Sequence, residues 1–259
     1  MNKTLNERVK LSGFNNLTKI LSFNLYDFCL TFNDEQKEAY INFIDQKYNA
    51  RKIAEISEHI CQIIEANILS VSVQDYDPVG SSTMVLMSDI KGGKWDQLPD
   101  NKVANVSMHL DKSHITAHTY PDANDPQGIC SFRVDIDIAT CGEIIPLSAV
   151  NYLFEAFECD VVYIDYVVRG FTRLEDGRKI YNDQYFNSIQ DFIKPEILQN
   201  YLYRQDLNLS HENIWQTKMM IKNFGPERYV MDLADVKHPE INQKMELLHR
   251  EMREVFHLH

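Results

Sequence analysis

The run Ser131-Phe-Arg-Val-Asp-Ile-Asp-Ile138 alternates apolar and polar residues without a break. Successive side chains of an extended chain point to opposite faces, so Phe132, Val134, Ile136 and Ile138 share one face and Arg133, Asp135 and Asp137 the other. A segment like this belongs in a sheet that is packed on one side only. Other runs read as strands beside it. Leu69-Ser-Val-Ser-Val73 alternates and Thr83-Met-Val-Leu-Met87 is a short apolar run, with Asp77-Pro-Val-Gly80 as the turn between them. Asn105 to Thr119 reads as one long strand followed by a turn at Tyr120-Pro-Asp122, and Asp160 to Val168 reads as another. Asp176-Gly177 predicts a hairpin turn between Gly170–Leu174 and Lys179–Tyr181. Lys91 to Pro99 is a loop by composition.

Helical periods lie between these strands. Asn33 with Gln36 forms a capping box, and Tyr40, Ile41, Phe43, Ile44 and Tyr48 continue a helix from it. Ile53, Ile56, Ile60, Ile63 and Ile64 mark a second. Pro146 starts a helix carrying Val150, Leu153, Phe154 and Phe157. The last seventy residues read as mainly helical, with an apolar stripe at Ile241, Met245, Leu248, Met252 and Phe256 that is core packing or a subunit contact. Residues 1–30 show no clear element. There is no repeat, linker or glycine-rich phosphate loop. The mixed order predicts an α+β fold over 1–259: a sandwich of mainly antiparallel β-sheet with helices packed on the outer face.

Bulk properties narrow the function. A net charge of −12 over 259 residues repels phosphates and argues against nucleic acid, while suiting cationic small molecules. No run of 18 apolar residues predicts a membrane span, and the first residues lack the apolar core of a signal peptide. Five irregularly spaced cysteines, Cys29, Cys61, Cys130, Cys141 and Cys159, do not make a disulfide framework. A reducing, cytoplasmic setting is expected.

Chemistry concentrates in Leu110-Asp-Lys-Ser-His-Ile-Thr-Ala-His-Thr-Tyr-Pro121 and Ala139-Thr-Cys-Gly142. A serine hydroxyl can attack the carbonyl of the residue before it, turning the Lys112-Ser113 amide into an ester with acid–base help. Elimination then frees the upstream chain, and hydrolysis of the dehydroalanine leaves a pyruvoyl group and releases ammonia. That ketone condenses with an amine and acts as an electron sink for decarboxylation, and a cysteine thiol is a competent proton donor afterwards. A lone Lys-Ser-His is common by chance, and His118 or Cys141 taken singly would be ordinary structural residues.

Several collinear motifs make the pattern specific. The run 110–121 resembles the processing site of S-adenosylmethionine decarboxylase proenzymes of the longer bacterial type. The likeness continues through Cys130-Ser-Phe-Arg-Val-Asp-Ile-Asp137, Ala139-Thr-Cys-Gly142, Ile164-Asp-Tyr-Val-Val-Arg-Gly-Phe-Thr-Arg173, Glu212-Asn-Ile-Trp-Gln-Thr-Lys-Met219 and Arg250-Glu-Met-Arg253. The resemblance implies autocleavage into a β chain 1–112, ending at Lys112, and an α chain 113–259. It implies Ser113 as pyruvoyl precursor and Schiff-base site, His118 as proton acceptor in processing, and Cys141 as proton donor in decarboxylation. Ser82 matches a serine that assists processing in shorter members, although the loop at 91–99 separates it from the cleavage motif. His114 is a candidate for lining the site. The implied substrate is S-adenosylmethionine, made into the aminopropyl donor for spermidine. A sulfonium cation with an adenine ring needs aromatic and acidic surroundings. Mg²⁺ and a homo-oligomer are implied as well.

Strand geometry raises a difficulty. Five residues separate Ser113 from His118, so in a straight strand they lie on opposite faces and roughly 16 Å apart. Either the strand bulges or bends between them, or His118 acts from a neighbouring subunit. Other readings are the same mechanism on ornithine or arginine, a non-catalytic activating paralogue, and a metal hydrolase using His109, His114, His118 and Cys141, whose spacing is not a standard zinc signature. Asp135 and Asp137 read as a solvated strand face.

Overall fold

A computed structural model describes residues 15–89, 112–222 and 224–258. Among these, strands β1 (Thr18–Leu30), β2 (Ala66–Asp75), β3 (Ser81–Asp89), β4 (Lys112–Asp122), β5 (Ile129–Cys141), β6 (Val161–Arg169), β9 (Tyr201–Leu209) and β10 (Ile214–Ile221) form one sheet. Its order is β2-β3-β4-β5-β1-β6-β10-β9, and its pairings are antiparallel. β7 (Thr172–Arg173) and β8 (Lys179–Ile180) make a small separate ribbon, closed at the expected Asp176-Gly177 turn. The helices are α1 (Asp34–Tyr48), α2 (Ala50–Ile63), α3 (Val150–Ala156), α4 (Pro195–Leu198) and α5 (Ile241–His257). This is the expected α+β sheet-and-helix sandwich.

Alternation dictates which face is covered. Leu21 sits opposite Ile138 and Tyr166, Phe23 opposite Ile136 and Ile164, and Leu25 opposite Val134 and Val162. All nine are buried, and full burial of each such aliphatic or aromatic side chain stabilises the fold by about 1.5–3 kcal/mol. Helices close this core face. The Tyr48 ring at the end of α1 stacks on Phe132 at 4.8 Å, and Phe154 of α3 meets Phe23 edge-on at 5.1 Å. The buried stripe of α2, Ile53, Ile60 and Cys61, packs over β2, β3 and β4. Asn33 caps α1 by accepting the Gln36 N–H at 2.9 Å, as its sequence predicts.

The other face of the sheet is covered at one end only. Tyr163, in register with Asn24 and Lys218, donates its hydroxyl to the Val255 carbonyl, and Phe256 meets Tyr203 at 6.4 Å, so α5 lies there. Its stripe, Ile241, Met245, Leu248, Met252 and Phe256, is buried within the chain. The rest of this face carries Ser22, Asn24, Asp135, Asp137 and Asp165, flanked by exposed Met84, Leu207, Leu209 and Ile214. Where the core strands end towards α5, Asp160 is fully buried and accepts the Phe28 N–H at 3.0 Å and Arg228 Nε at 2.9 Å. Asp27 lies beside Asp160; burial first, and the Asp160 charge second, push its carboxyl well above the usual range.

Three expectations change. Residues 18–30, unassigned from sequence, are the central strand. The tail of about seventy residues is not mainly helical: β9 and β10 pair there as a hairpin, and only α5 is a long helix. Tyr120-Pro-Asp122 is not a turn but the end of β4, still paired with 131–133 of β5. β3 stops at Ser81 opposite Thr119, so Pro121 sits where β4 has become an edge and a missing N–H is tolerated. The loop at 91–99, His109 and the stretch 105–111 lie outside the described residues. No helix among the described residues is long and apolar enough to cross a membrane.

Candidate active site

Ser113 is the second residue of β4, with 2% of its surface exposed and Met87 opposite it on the core face. Its Oγ accepts a hydrogen bond from the backbone N–H of Cys141 at 3.0 Å. The two segments meet because β4 and β5 pair in one continuous register, from His114 opposite Ala139 to Asp122 opposite Ser131. The Cys141 side chain follows the alternation of β5 onto the open face, beside the start of β1 at Thr18. The structure therefore joins Ser113 and Cys141 through the main chain of the cysteine.

Ser82 is brought closer than its sequence separation suggests. β3 pairs directly with β4, placing Ser82 opposite His118. Gly80 makes this close approach possible: its φ is +104°, and a Cβ there would stand 2.8 Å from the Thr119 carbonyl oxygen. The Ser81 N–H then donates to Thr119 Oγ1 at 2.8 Å, and the two hydroxyls lie 3.0 Å apart, which pins the register. On its other side His118 faces Asp135. Ser82, His118 and Asp135 thus form a row across three strands, with directly paired Cβ atoms about 4.5–5.5 Å apart. Asp135 is itself held by Arg133, whose Nε is 3.0 Å away and whose guanidinium lies over the rings of Tyr26 and Tyr120.

His118 and Ser113 do not come together in one chain. β4 keeps its register with both neighbours between residues 114 and 119, so no bulge rotates one side chain towards the other. Ser113 faces the core; His114 and His118 face the open side. The bend that would have reconciled them within a subunit is absent.

The open face is acidic and aromatic. Ser22 lies between Asp137 and Asp165 and donates its hydroxyl to Asp137, while Gln216 Nε2 donates to Asp165 at 2.6 Å. Tyr26 and Tyr120 share this open part, while Tyr163 on the same side is covered by α5. Asp135 and Asp137 are the outward strand face that the sequence predicts. None of the five cysteines forms a disulfide. Burial pushes the thiols of Cys29, Cys61, Cys130 and Cys159 up, and the four are buried, whereas Cys141 is half-exposed. Among the described residues no group of three or more His, Cys, Asp or Glu could hold a metal ion. The alternative zinc site therefore has no such cluster among the described residues.

Sequence reasoning missed Lys19. It sits in β1, 1% exposed, and Nζ bonds Gly142 O at 3.0 Å, Ile144 O at 3.3 Å and Asp183 Oδ2 at 2.6 Å. A lysine among Leu17, Leu21 and Phe23, on the buried side of an alternating strand, was the available signal.

Comparison with known proteins gives the family that the chain resembles. Residues 43–170 match the family model described as S-adenosylmethionine decarboxylase. The S-adenosylmethionine decarboxylase proenzyme of Stenotrophomonas maltophilia (strain R551-3) is 46% identical over 260 residues, covering 96% of each chain. The proenzyme of the same name from Clostridium acetobutylicum is 43% identical, covering 99% of this chain and 96% of its own. Among solved structures, the adenosylmethionine decarboxylase from Aquifex aeolicus is 16% identical with a TM-score of 0.35, over 66% of this chain and 98% of that one.

Proposed function

The chain belongs to the S-adenosylmethionine decarboxylase proenzyme family, and from that footing we propose how its own residues carry the reaction. The protein decarboxylates S-adenosylmethionine by means of a pyruvoyl group generated by autocatalytic cleavage. We assign that cleavage to Lys112-Ser113, giving chains 1–112 and 113–259. Ser113 attacks the Lys112 carbonyl, the resulting ester eliminates, and the serine carbons become the cofactor. The observation that supports this reading is the Cys141 N–H on Ser113 Oγ at 3.0 Å, a main-chain bond between the residue expected to become the cofactor and the expected proton donor.

Ser113 would hold the pyruvoyl group, which would supply a carbonyl able to condense with the substrate amine and to take up the electron pair left by CO₂. The protein's part is binding and proton transfer. Cys141 returns a proton to the substrate carbon. Asp137, Asp165 and the tyrosines of the open face offer the acidic and aromatic surroundings that a sulfonium cation and an adenine ring require. Ser82 and His118, opposite one another, act as a hydroxyl–imidazole couple in processing.

The regular strand between Ser113 and His118 favours a shared site. A second copy of the chain seated on the open face would set its own His118 row against the side that carries the Cys141 side chain, and the exposed Met84, Leu207, Leu209 and Ile214 would be covered with it. We therefore propose a homo-oligomer whose site is completed across that face, in a cytoplasmic enzyme. Intact mass of the purified protein tests the chemistry: two chains split at 112/113 with a blocked second chain are expected, and active protein from an uncut chain would overturn it. Dilution tests the shared site: specific activity should fall as the oligomer dissociates, and a fully active monomer would exclude it.

A further inference from the structure

Lys19 is placed where a lysine is costly. It lies on the core face of the central strand, between fully buried Leu17 and Leu21, and it is paired with an Asp183 side chain only 2% exposed. Apolar residues of similar volume usually hold a fold as well as a buried ion pair, or better, because both charges lose their water. Stability is therefore a poor explanation for charge at this position. Apolar side chains cannot, however, make directional bonds to backbone carbonyls, and Lys19 makes two, to Gly142 at 3.0 Å and Ile144 at 3.3 Å.

Those carbonyls belong to the turn that follows Cys141. The pairing of β5 with β1 ends at Cys141 opposite Thr18, and at Gly142 the chain turns with φ +70°. Sheet hydrogen bonding does not hold residues 142–144, so the ammonium group does. Asp183 fixes the ammonium from the far side, within the buried segment Asn182–Gln184, which is braced by the Gln184 N–H on Asn182 Oδ1 at 3.1 Å. Two separate stretches of chain, 142–144 and 182–184, thus converge on this nitrogen of β1 next to Cys141, whose own N–H bonds Ser113.

We infer that the Lys19–Asp183 pair is a positioning device for the proton donor Cys141, setting the turn that aims its thiol. This rests on the reading of Cys141 as donor. A donor that is badly placed has a distinctive chemical consequence. CO₂ leaves as usual, but the proton adds to the cofactor's own carbon instead of the substrate's. Water then releases the substrate skeleton as an aldehyde, and its nitrogen stays on the protein as an N-terminal alanine. A residue that merely supports the fold would not change that partition.

The test uses the full chain carrying Lys19→Met with Asp183→Leu, and Asp183→Asn alone as a milder variant should the pair fail to fold. Cleavage, kcat, KM and the N-terminus of the 113–259 chain are measured, the last by peptide mass spectrometry after a fixed number of turnovers. Cleavage should go to completion, kcat should fall about a hundredfold with KM little changed, and the alanine fraction per turnover should rise several-fold. Unchanged kcat, or a loss shared equally by cleavage and melting temperature with no added alanine, would overturn the inference. Cys141→Ser is the control. If it raises alanine while the Lys19 and Asp183 variants do not, the positioning role alone fails. If it behaves as the parent does, the donor reading fails.

Discussion

Replacing Ser113 by alanine separates chemistry from folding at the point where the two are easiest to confuse. The side chain is 2% exposed and its hydroxyl accepts the Cys141 N–H at 3.0 Å. Alanine removes one oxygen atom, too little to leave a cavity of consequence. The loss is the hydrogen bond plus the partly buried N–H left behind, about 1–3 kcal/mol. At a urea m-value of about 3 kcal/mol per molar, the unfolding midpoint should shift by roughly 0.3–1 M. The right reference is an uncut chain that keeps the hydroxyl, for which His118→Gln serves if processing depends on His118. Activity, in contrast, should vanish, because no pyruvoyl group can form without the serine oxygen. Intact mass, a urea melt and CO₂ release from S-adenosylmethionine together make the assay. Scission between Lys112 and Ala at 113, or turnover by the uncut chain, would refute the assignment. A midpoint shift several times larger would mean that the hydroxyl is chiefly structural.

Other expectations follow from the same geometry. Cys141→Ala should spare cleavage and depress turnover, since the bond to Ser113 comes from its backbone N–H; equal loss of both, by gel and by CO₂ release, would reassign it. Ser82→Ala should slow processing without abolishing it, read as accumulation of uncut chain over time, and wild-type processing kinetics would remove Ser82 from the couple. Gly80→Ala should perturb the same step from outside the site, because its Cβ would meet the Thr119 carbonyl oxygen at 2.8 Å; processing at the parent rate would count against the register argument. Asp27 gives a pH signature. Its carboxyl is pushed up by burial, then by Asp160, so the folded state binds a proton that the unfolded state has released. Its contribution is full below about pH 4 and drains as pH rises through its folded value, at up to about 1.4 kcal/mol per pH unit. Asp27→Asn, which keeps a donor for Asp160, should flatten that decline in urea melts taken from mildly acid to alkaline pH; an unchanged slope would place the proton elsewhere.

Local patterns were legible wherever a segment is half-buried. The alternation of 131–138, the cap at Asn33, the stripe of α5 and the Asp176-Gly177 turn all correspond to what the chain forms. β9 and β10 were hidden for a physical reason. β9 is an edge strand exposed along almost its whole length, so no burial pattern marks it, and the helical stripe farther on is the stronger periodic signal in this part of the chain. β1 has a clean alternation at Leu21, Phe23 and Leu25, and the lysine inside it obscured the pattern. That same lysine is the group behind the Cys141 turn.

By itself the sequence determined which atoms are available to react: a serine after Lys112, a thiol at Cys141, and the period-2 strands that carry them. Residue type and local period follow from neighbouring positions along the chain, so one strand's worth of sequence is enough to read them. Only the tertiary structure decided which of these groups meet. Strand order and register put Ser82 opposite His118 across a long separation, turned Ser113 and His118 to opposite faces, and brought Lys19 and Asp183 together behind the Cys141 turn. Those contacts join residues up to 164 positions apart, and they depend on how eight strands pair at once, which no local pattern records.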